Sequence, residues 1–253
     1  MNSMSGEKVS KKRYSMLDYI RGITLLSMIL YHAMWDVVYI LGKRVAWYQS
    51  DIGYLWQQSI CWAFILLSGF CWSLGGQKWK RGIMVSMAGA LITCVTVIVM
   101  PENQVVFGVL TLLGTCMLLL IPLDKHLRRI DPKLGFLVSA ILFTLTRNIN
   151  MGYLGFEGWK VMKLPAGLYR NLVTAFLGMP GDTFVSTDYF SLFPWFFLFT
   201  AGYFIYGLME QKDWLQWLAW KEIPGFAWIG KHSLEIYLLH QPILYAGLMV
   251  YAC

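Results

Sequence analysis

Long apolar runs separated by short polar turns dominate the chain. A hydrocarbon core about 30 Å thick takes about 20 apolar residues per helix. Runs of that kind predict seven spanning helices, at 18–41, 55–75, 82–100, 105–123, 134–149, 190–209 and 228–251. The first three connections are short. The segment 150–189 is long, rich in Gly, Pro and aromatic residues, and holds no apolar run of spanning length. Its apolar patch at 172–179 suits a piece that dips into the membrane or lies along its surface. Connections of this length are uncommon unless they carry function. The expected architecture is all-α: one polytopic transmembrane bundle over 18–253, preceded by a flexible basic tail at 1–17.

Composition agrees. Of the 253 residues, 57% are hydrophobic and only 14% charged, and the mean hydropathy is +0.53. A soluble domain carries roughly a quarter charged residues. A soluble enzyme, a disordered chain and a disulfide-stapled secreted domain are therefore excluded. The net charge of +7 lies in short loops rather than in a basic groove interleaved with aromatics, which excludes nucleic acid as a partner. The first apolar run is too long for a signal peptide, contains Arg21, His32 and Asp36, and lacks a small-residue cleavage site.

Alternate loops differ sharply in Lys and Arg. One side collects the N-terminal tail, Lys78, Lys80 and Arg81, then Lys125, Arg128, Arg129 and Lys133, then Lys212, Lys221 and Lys231. The other collects Lys43, Arg44, Lys160, Lys163 and Arg170. The positive-inside rule then puts the N-terminus in the cytoplasm and 150–189 outside. Of the five cysteines, four fall inside apolar runs and none forms a C-x-x-C pair, so no zinc site or disulfide framework is expected.

Ionisable groups at membrane depth are costly, and each is a functional candidate. The first helix carries a stripe of them. Arg21 and His32 are eleven residues apart, which puts them on one face and about 16 Å apart along the axis. Asp18 precedes Arg21 by one turn, and Asp36 follows His32 by one turn. An Asp bonded to one ring nitrogen would fix the tautomer and leave the other nitrogen basic, as a general base requires. An ordinary interhelical polar contact accounts for the same i, i+4 pair.

Counted from the cytoplasmic ends, His32, Arg147 and His240 lie roughly 18–20 Å in, one layer near the outer leaflet, with Glu235 about 10 Å in. Arg147 can equally end its helix and snorkel outward, and Asp188 can equally be a solvated loop carboxylate. The many Trp and Tyr residues, among them Trp47, Tyr48, Trp56, Trp214, Trp217 and Trp220, read as interfacial belts.

Three blocks carry a resemblance: YSMLDYIRGITLLSMILYHAMWD at 14–36, FLGMPGDTFVSTDYFSLFPW at 176–195, and IGKHSLEIYLLHQPILY at 229–245. They resemble the heparan-α-glucosaminide N-acetyltransferase catalytic-domain-like family of bacterial membrane proteins. The R-x10-H spacing of Arg21 and His32 is similar to that of the wider transmembrane acyltransferase superfamily, which includes the acyltransferase-3 proteins. The resemblance implies transfer of an acetyl or other acyl group from cytoplasmic acyl-CoA to a carbohydrate or envelope-lipid acceptor on the far side, without a metal. It implies His32 as general base with Asp36 orienting it, and Arg21, Lys78, Lys80, Arg81, Arg128 and Arg129 as groups for the CoA nucleotide and pantetheine. Arg21, Arg147, Asp188 and His240 are the expected substrate contacts. The expected location is the bacterial cytoplasmic membrane, with the bilayer as partner and room for a homo-oligomer. A transporter or flippase using the same intramembrane groups is the competing class; the lack of a visible inverted repeat counts against it.

Overall fold

The computed structural model describes residues 14–219 and 224–252. The tail as far as Arg13, together with Trp220, Lys221 and Cys253, lies outside the described residues. The chain is an all-α polytopic bundle. Its long helices are α1 (Ser15–Trp35), α2 (Asp51–Leu74), α3 (Lys78–Val99), α4 (Val109–Leu127), α5 (Pro132–Thr146), α7 (Leu192–Gln211) and α9 (Ser233–Ala252). Among the described residues there are also two short α-helices, α6 (Leu172–Leu177) and α8 (Pro224–Lys231). Among the described residues, five helical segments are long and apolar enough to cross a membrane: 15–40, 78–99, 109–127, 132–151 and 192–211. At 24 and 20 residues, α2 and α9 also have spanning length at about 1.5 Å per residue.

Local signals explain several boundaries. Ser50 caps α2 by accepting from the Ile52 N–H. Asp131 caps α5, accepting from Lys133 and Leu134, with Pro132 in the first turn. Asn171 and Thr174 form a reciprocal capping box at α6. The run read as one span at 228–251 is broken at His232, so α8 and α9 are separate helices following one another along α1. Within the long connection lies an unanticipated hairpin, β1 (Tyr153–Phe156) paired antiparallel with β2 (Trp159–Lys163). Its two-residue turn has φ of 42° at Glu157 and 94° at Gly158, the left-handed pair that matches strand twist in hairpins.

α7 is the hub, packed by α2 on one side and α5 on another. Phe199 on α7, Ile65 on α2, and Leu112, Cys116 and Leu120 on α4 are almost fully buried in the main core. Lipid-facing positions are apolar instead, including Leu91, Val95 and Ile98 on α3 and Leu134, Leu137 and Ile141 on α5, all exposed. Glycine lets three helix pairs meet backbone to backbone. A Cβ added at Gly22 would overlap the Phe226 carbonyl, and one at Gly230 the Asp18 carbonyl, locking α1 to α8. Gly69 and Gly202 do the same reciprocally for α2 and α7, against Phe199 and Leu66. Gly89 and Gly114 repeat it for α3 and α4, against Thr111 and Ser86. In a bilayer, where association rests on close packing, such small-residue contacts are the main adhesive.

Gly202→Leu is expected to lower the thermal midpoint in detergent by several degrees, in line with the ~1–3 kcal/mol of forced overpacking. Gly247, where an added Cβ meets nothing within 4 Å, is the control: Gly247→Ala should stay within about 0.5 kcal/mol of the parent. Equal midpoints for both variants would show that the α2/α7 contact is not tight.

Candidate active site

The polar stripe of α1 ends in an irregular turn. After Trp35 the helix widens into a π-turn at Asp36–Ile40, a form that recurs at functional sites. Opposite it, α9 carries Pro242 in its interior, which removes one backbone N–H from the ladder. These two irregular stretches face each other. The imidazoles of His32 and His240 meet with ring centroids 4.9 Å apart. One turn further on, Gln241 Nε2 donates to Asp36 Oδ1 at 2.8 Å. Asp36 is 2% exposed.

The expected His32–Asp36 hydrogen bond is not what orients the imidazole. His32 Nδ1 sits 3.0 Å from the Met28 carbonyl, one turn back on its own helix. His240 Nδ1 likewise faces the Tyr237 carbonyl. A carbonyl oxygen only accepts, so each Nδ1 carries the proton and each neutral ring presents Nε2 as its basic nitrogen. Met28 thus does for His32 what Asp36 was expected to do, and the Asp36 carboxylate is engaged by α9 instead.

Aromatic residues pack beside His32. Tyr31 packs against His32, Tyr48 and Trp56. Tyr48 donates its hydroxyl to the Tyr31 carbonyl at 3.2 Å, and Trp56 Nε1 donates to Ser27 Oγ at 2.8 Å. Tyr48 lies in the loop before α2, and burial pushes its phenol well above the usual range, so it remains a donor. Tyr48 and Trp56, read from sequence as belt residues, are thus held against α1 at Tyr31 and Ser27.

Asp188 is not a solvated loop carboxylate. The turn before α4 is strapped to the segment before α7: Val106 N donates to Ser186 Oγ, Thr187 N to the Gln104 carbonyl, and Phe190 N to the Phe107 carbonyl. The strap places Asp188 Oδ2 3.4 Å from the Val109 N–H at the start of α4, an end that favours negative charge. His32 lies within its electrostatic reach, as do Cys61 and Tyr237. Burial raises the Asp188 carboxyl above its ordinary range, while His32 and the Val109 N–H pull the other way.

Arg147 is placed elsewhere and does not snorkel. It is 8% exposed, donates to Tyr54 Oη and Gln58 Oε1, each at 2.9 Å, and pairs with Glu157 at 3.2 Å. Its guanidinium stands 5.1 Å over the Trp195 ring. Arg147 thereby ties the hairpin turn to α2 and α7, and it joins neither His32 nor His240 directly. Glu235 is exposed and outside the site.

At the opposite end, Arg21 pairs with Asp18 at 3.0 Å and donates to Cys71 Sγ at 3.1 Å. Arg81 reaches the same cysteine's surroundings from α3, within electrostatic range of Arg21. Lys78 lies 3.6 Å from Asp124 and over the Trp72 ring. Arg128 bonds Asp124 at 2.9 Å, and Tyr203 donates to the same carboxylate. Asp124 therefore engages two of the expected phosphate ligands in cross-linking α3, α4 and α7. Lys80, Lys125 and Arg129 are exposed. Among the described residues, no group of three or more His, Cys, Asp or Glu is placed to hold a metal ion.

Sequence reasoning missed Gln241, Met28, Tyr31 and Tyr237. A signal existed for Gln241 alone, a polar residue next to His240 at the depth assigned to the His layer. The Met28 and Tyr237 contributions are backbone carbonyls, to which side-chain identity is blind.

These features define a polytopic helical membrane protein in which half-buried His32 meets buried His240 beside a buried carboxylate toward one face. The family model for heparan-alpha-glucosaminide N-acetyltransferase, catalytic, matches residues 13–242, and the chain belongs to that family. No curated protein and no solved structure matches it.

The Arg147 network yields a ranked expectation. Arg147→Met leaves Gln58 and Glu157 without their shared buried donor and should lower the thermal midpoint by the larger amount, on the order of 3 kcal/mol. Glu157 is partly exposed and a Gln there can still accept from Tyr54, so Glu157→Gln should cost below about 1 kcal/mol. A reversed order in differential scanning would assign the anchoring to the exposed carboxylate.

Proposed function

We propose that this protein is an integral membrane acyltransferase that moves an acetyl or other acyl group from cytoplasmic acyl-CoA to a sugar or envelope acceptor on the far side, with His32 as general base. The observation that carries the reading is the His32 ring itself. Its Nδ1 is committed to the Met28 carbonyl, and its Nε2 is left basic beside a second imidazole and a buried carboxylate. Family membership supports acetyl-CoA as the donor.

By the charge bias, α1 begins on the cytoplasmic side. Arg21 and Arg81 flank Cys71 there and would meet the phosphates or the pantetheine arm, as guanidinium groups do. From Arg21 to His32 is about 16 Å of helix, a span of the order of an extended pantetheine arm. The thioester carbonyl would then lie near His32. The acceptor hydroxyl or amine attacks the carbonyl carbon as His32 Nε2 takes its proton. A C–O or C–N bond forms, the C–S bond breaks, and CoA leaves as thiolate to be protonated on the cytoplasmic side. Asp188, on the far-side loop, would stabilise the imidazolium that develops on His32. Asp36 would serve the acceptor rather than orient the base. The setting proposed for this reaction is the bacterial cytoplasmic membrane.

Transfer from radiolabelled acetyl-CoA in inverted membrane vesicles tests this. His32→Ala at matched expression should reduce label in sugar or lipid fractions by about 10²–10⁴-fold, the usual worth of a positioned general base. Undiminished transfer in that variant would remove His32 from the chemistry.

A further inference from the structure

The lipid-facing surface of the α3/α4 pair is grooved at one end. The two helices touch backbone to backbone at Gly89 and Gly114. Beyond that contact, toward the start of α3, lies a groove of about 400 Å³. Trp79 on α3 and Thr115, Leu118, Leu119, Ile121 and Pro122 on α4 line it, and the lining is almost wholly apolar. Leu118 leans onto Gly82, where an added Cβ would overlap it. Pro122 stands inside α4 and brings no N–H to the ladder. The α4 wall from Thr115 to Pro122 runs about 10 Å along the axis.

At the mouth of the groove the character changes. Lys125 and His126 follow Pro122 by three and four residues, on the same face of α4. Lys80 adjoins Trp79 in the first turn of α3. Lys80 and Lys125 are exposed and form no salt bridge among the described residues. Asp124, the carboxylate next to Lys125, is held by Lys78 and Arg128 instead. By the charge bias this mouth is cytoplasmic. The positive-inside rule accounts for the lysines but not for the apolar groove that leads to them. A hydrocarbon chain gains little by leaving lipid for such a groove, so the charges must supply the preference. A zwitterionic headgroup sets its own cation against the lysines, and a net-anionic one does not.

We infer that α3 and α4 bind one phospholipid of net negative headgroup from the cytoplasmic leaflet, with a chain along the groove and the phosphate between Lys80 and Lys125. The site is at the opposite end of the bundle from His32 and does not rest on the proposed acyl transfer. The lipid tethers α3, most of whose surface is exposed, to α4.

Native mass spectrometry of the purified full-length protein in detergent tests this, with dioleoyl phosphatidylglycerol and dioleoyl phosphatidylcholine as probes. One copy of phosphatidylglycerol should be retained at least about tenfold more tightly than phosphatidylcholine, given about fivefold for each cationic side chain near an anionic lipid surface. The double variant Lys80→Gln/Lys125→Gln changes only exposed positions and should bring the two lipids level. Lys133→Gln, an exposed lysine at the same end on α5, should leave the preference unchanged. Leu119→Trp fills the groove with both lysines intact and should weaken phosphatidylglycerol binding by a similar factor. Thr115→Phe fills it from the next turn and serves if Leu119→Trp is not monodisperse. Phosphatidylglycerol should also raise the thermal midpoint more than phosphatidylcholine does, as a ligand of the folded state must, and that difference should vanish in the double variant. Equal retention of the two lipids, an equal loss in Lys133→Gln, or undiminished binding in the groove variants would overturn the site. Displacement of the lipid by equimolar coenzyme A would also overturn it, by returning Lys80 to a soluble phosphate.

Discussion

Backbone contact at glycine is the constraint on which the rest of the molecule depends. Gly22 and Gly230 bring α1 and α8 together so closely that neither position has space for a methyl group. That contact fixes how the chain enters α9, and the rotation of α9 decides what faces His32. With α8 held there, Ile229, Ile236 and Tyr237 pack against Leu25 and Met28. His240 then meets His32, and Gln241 meets Asp36. The reciprocal contacts at Gly69/Gly202 and Gly89/Gly114 hold the other half of the bundle by the same means. In lipid, where apolar side chains gain little by leaving their surroundings, such van der Waals fit must supply the association.

On this frame two of the polar regions contrast. Around Asp124, at the end where α1 starts, opposite charges are matched and helices are tied together. Around Asp36, at the other end, acceptors are gathered without matching donors. A fold selected only for stability would not keep the second arrangement, because buried acceptors cost free energy unless something donates to them. The contrast within one molecule is the physical ground for placing the proposed chemistry at the far end of α1. Asp188 is delivered to this end by the strap between the turn before α4 and the segment before α7, within electrostatic reach of His32.

Both imidazoles are oriented by main-chain carbonyls of their own helices. This leaves the carboxylates free: Asp36 is taken up by Gln241, and Asp188 is placed within electrostatic reach of His32 through the loop. A triad logic applied to His32 and Asp36 assigns the carboxylate the wrong partner. It overlooks that a helical histidine can reach the carbonyl one turn back, and that the π-turn begins at Asp36.

The bundle, the polar stripe on α1 and the shared depth of His32 and His240 were legible in the chain, because length, hydropathy and helical period are local properties that the bilayer reads directly. The family was legible too, in the blocks around Arg21–His32, Asp188 and His240. The break at His232, the hairpin at 153–163 and the burial of Arg147 were not, since each depends on what a segment meets after folding. Arg147 could end a helix in water or bury itself, and only the convergence of Tyr54, Gln58, Glu157 and Trp195 decided it. That Gln241 rather than His32 bonds Asp36 likewise followed from packing. Spacing along one helix limits the partners within that helix, but the rotation of its neighbours selects among them.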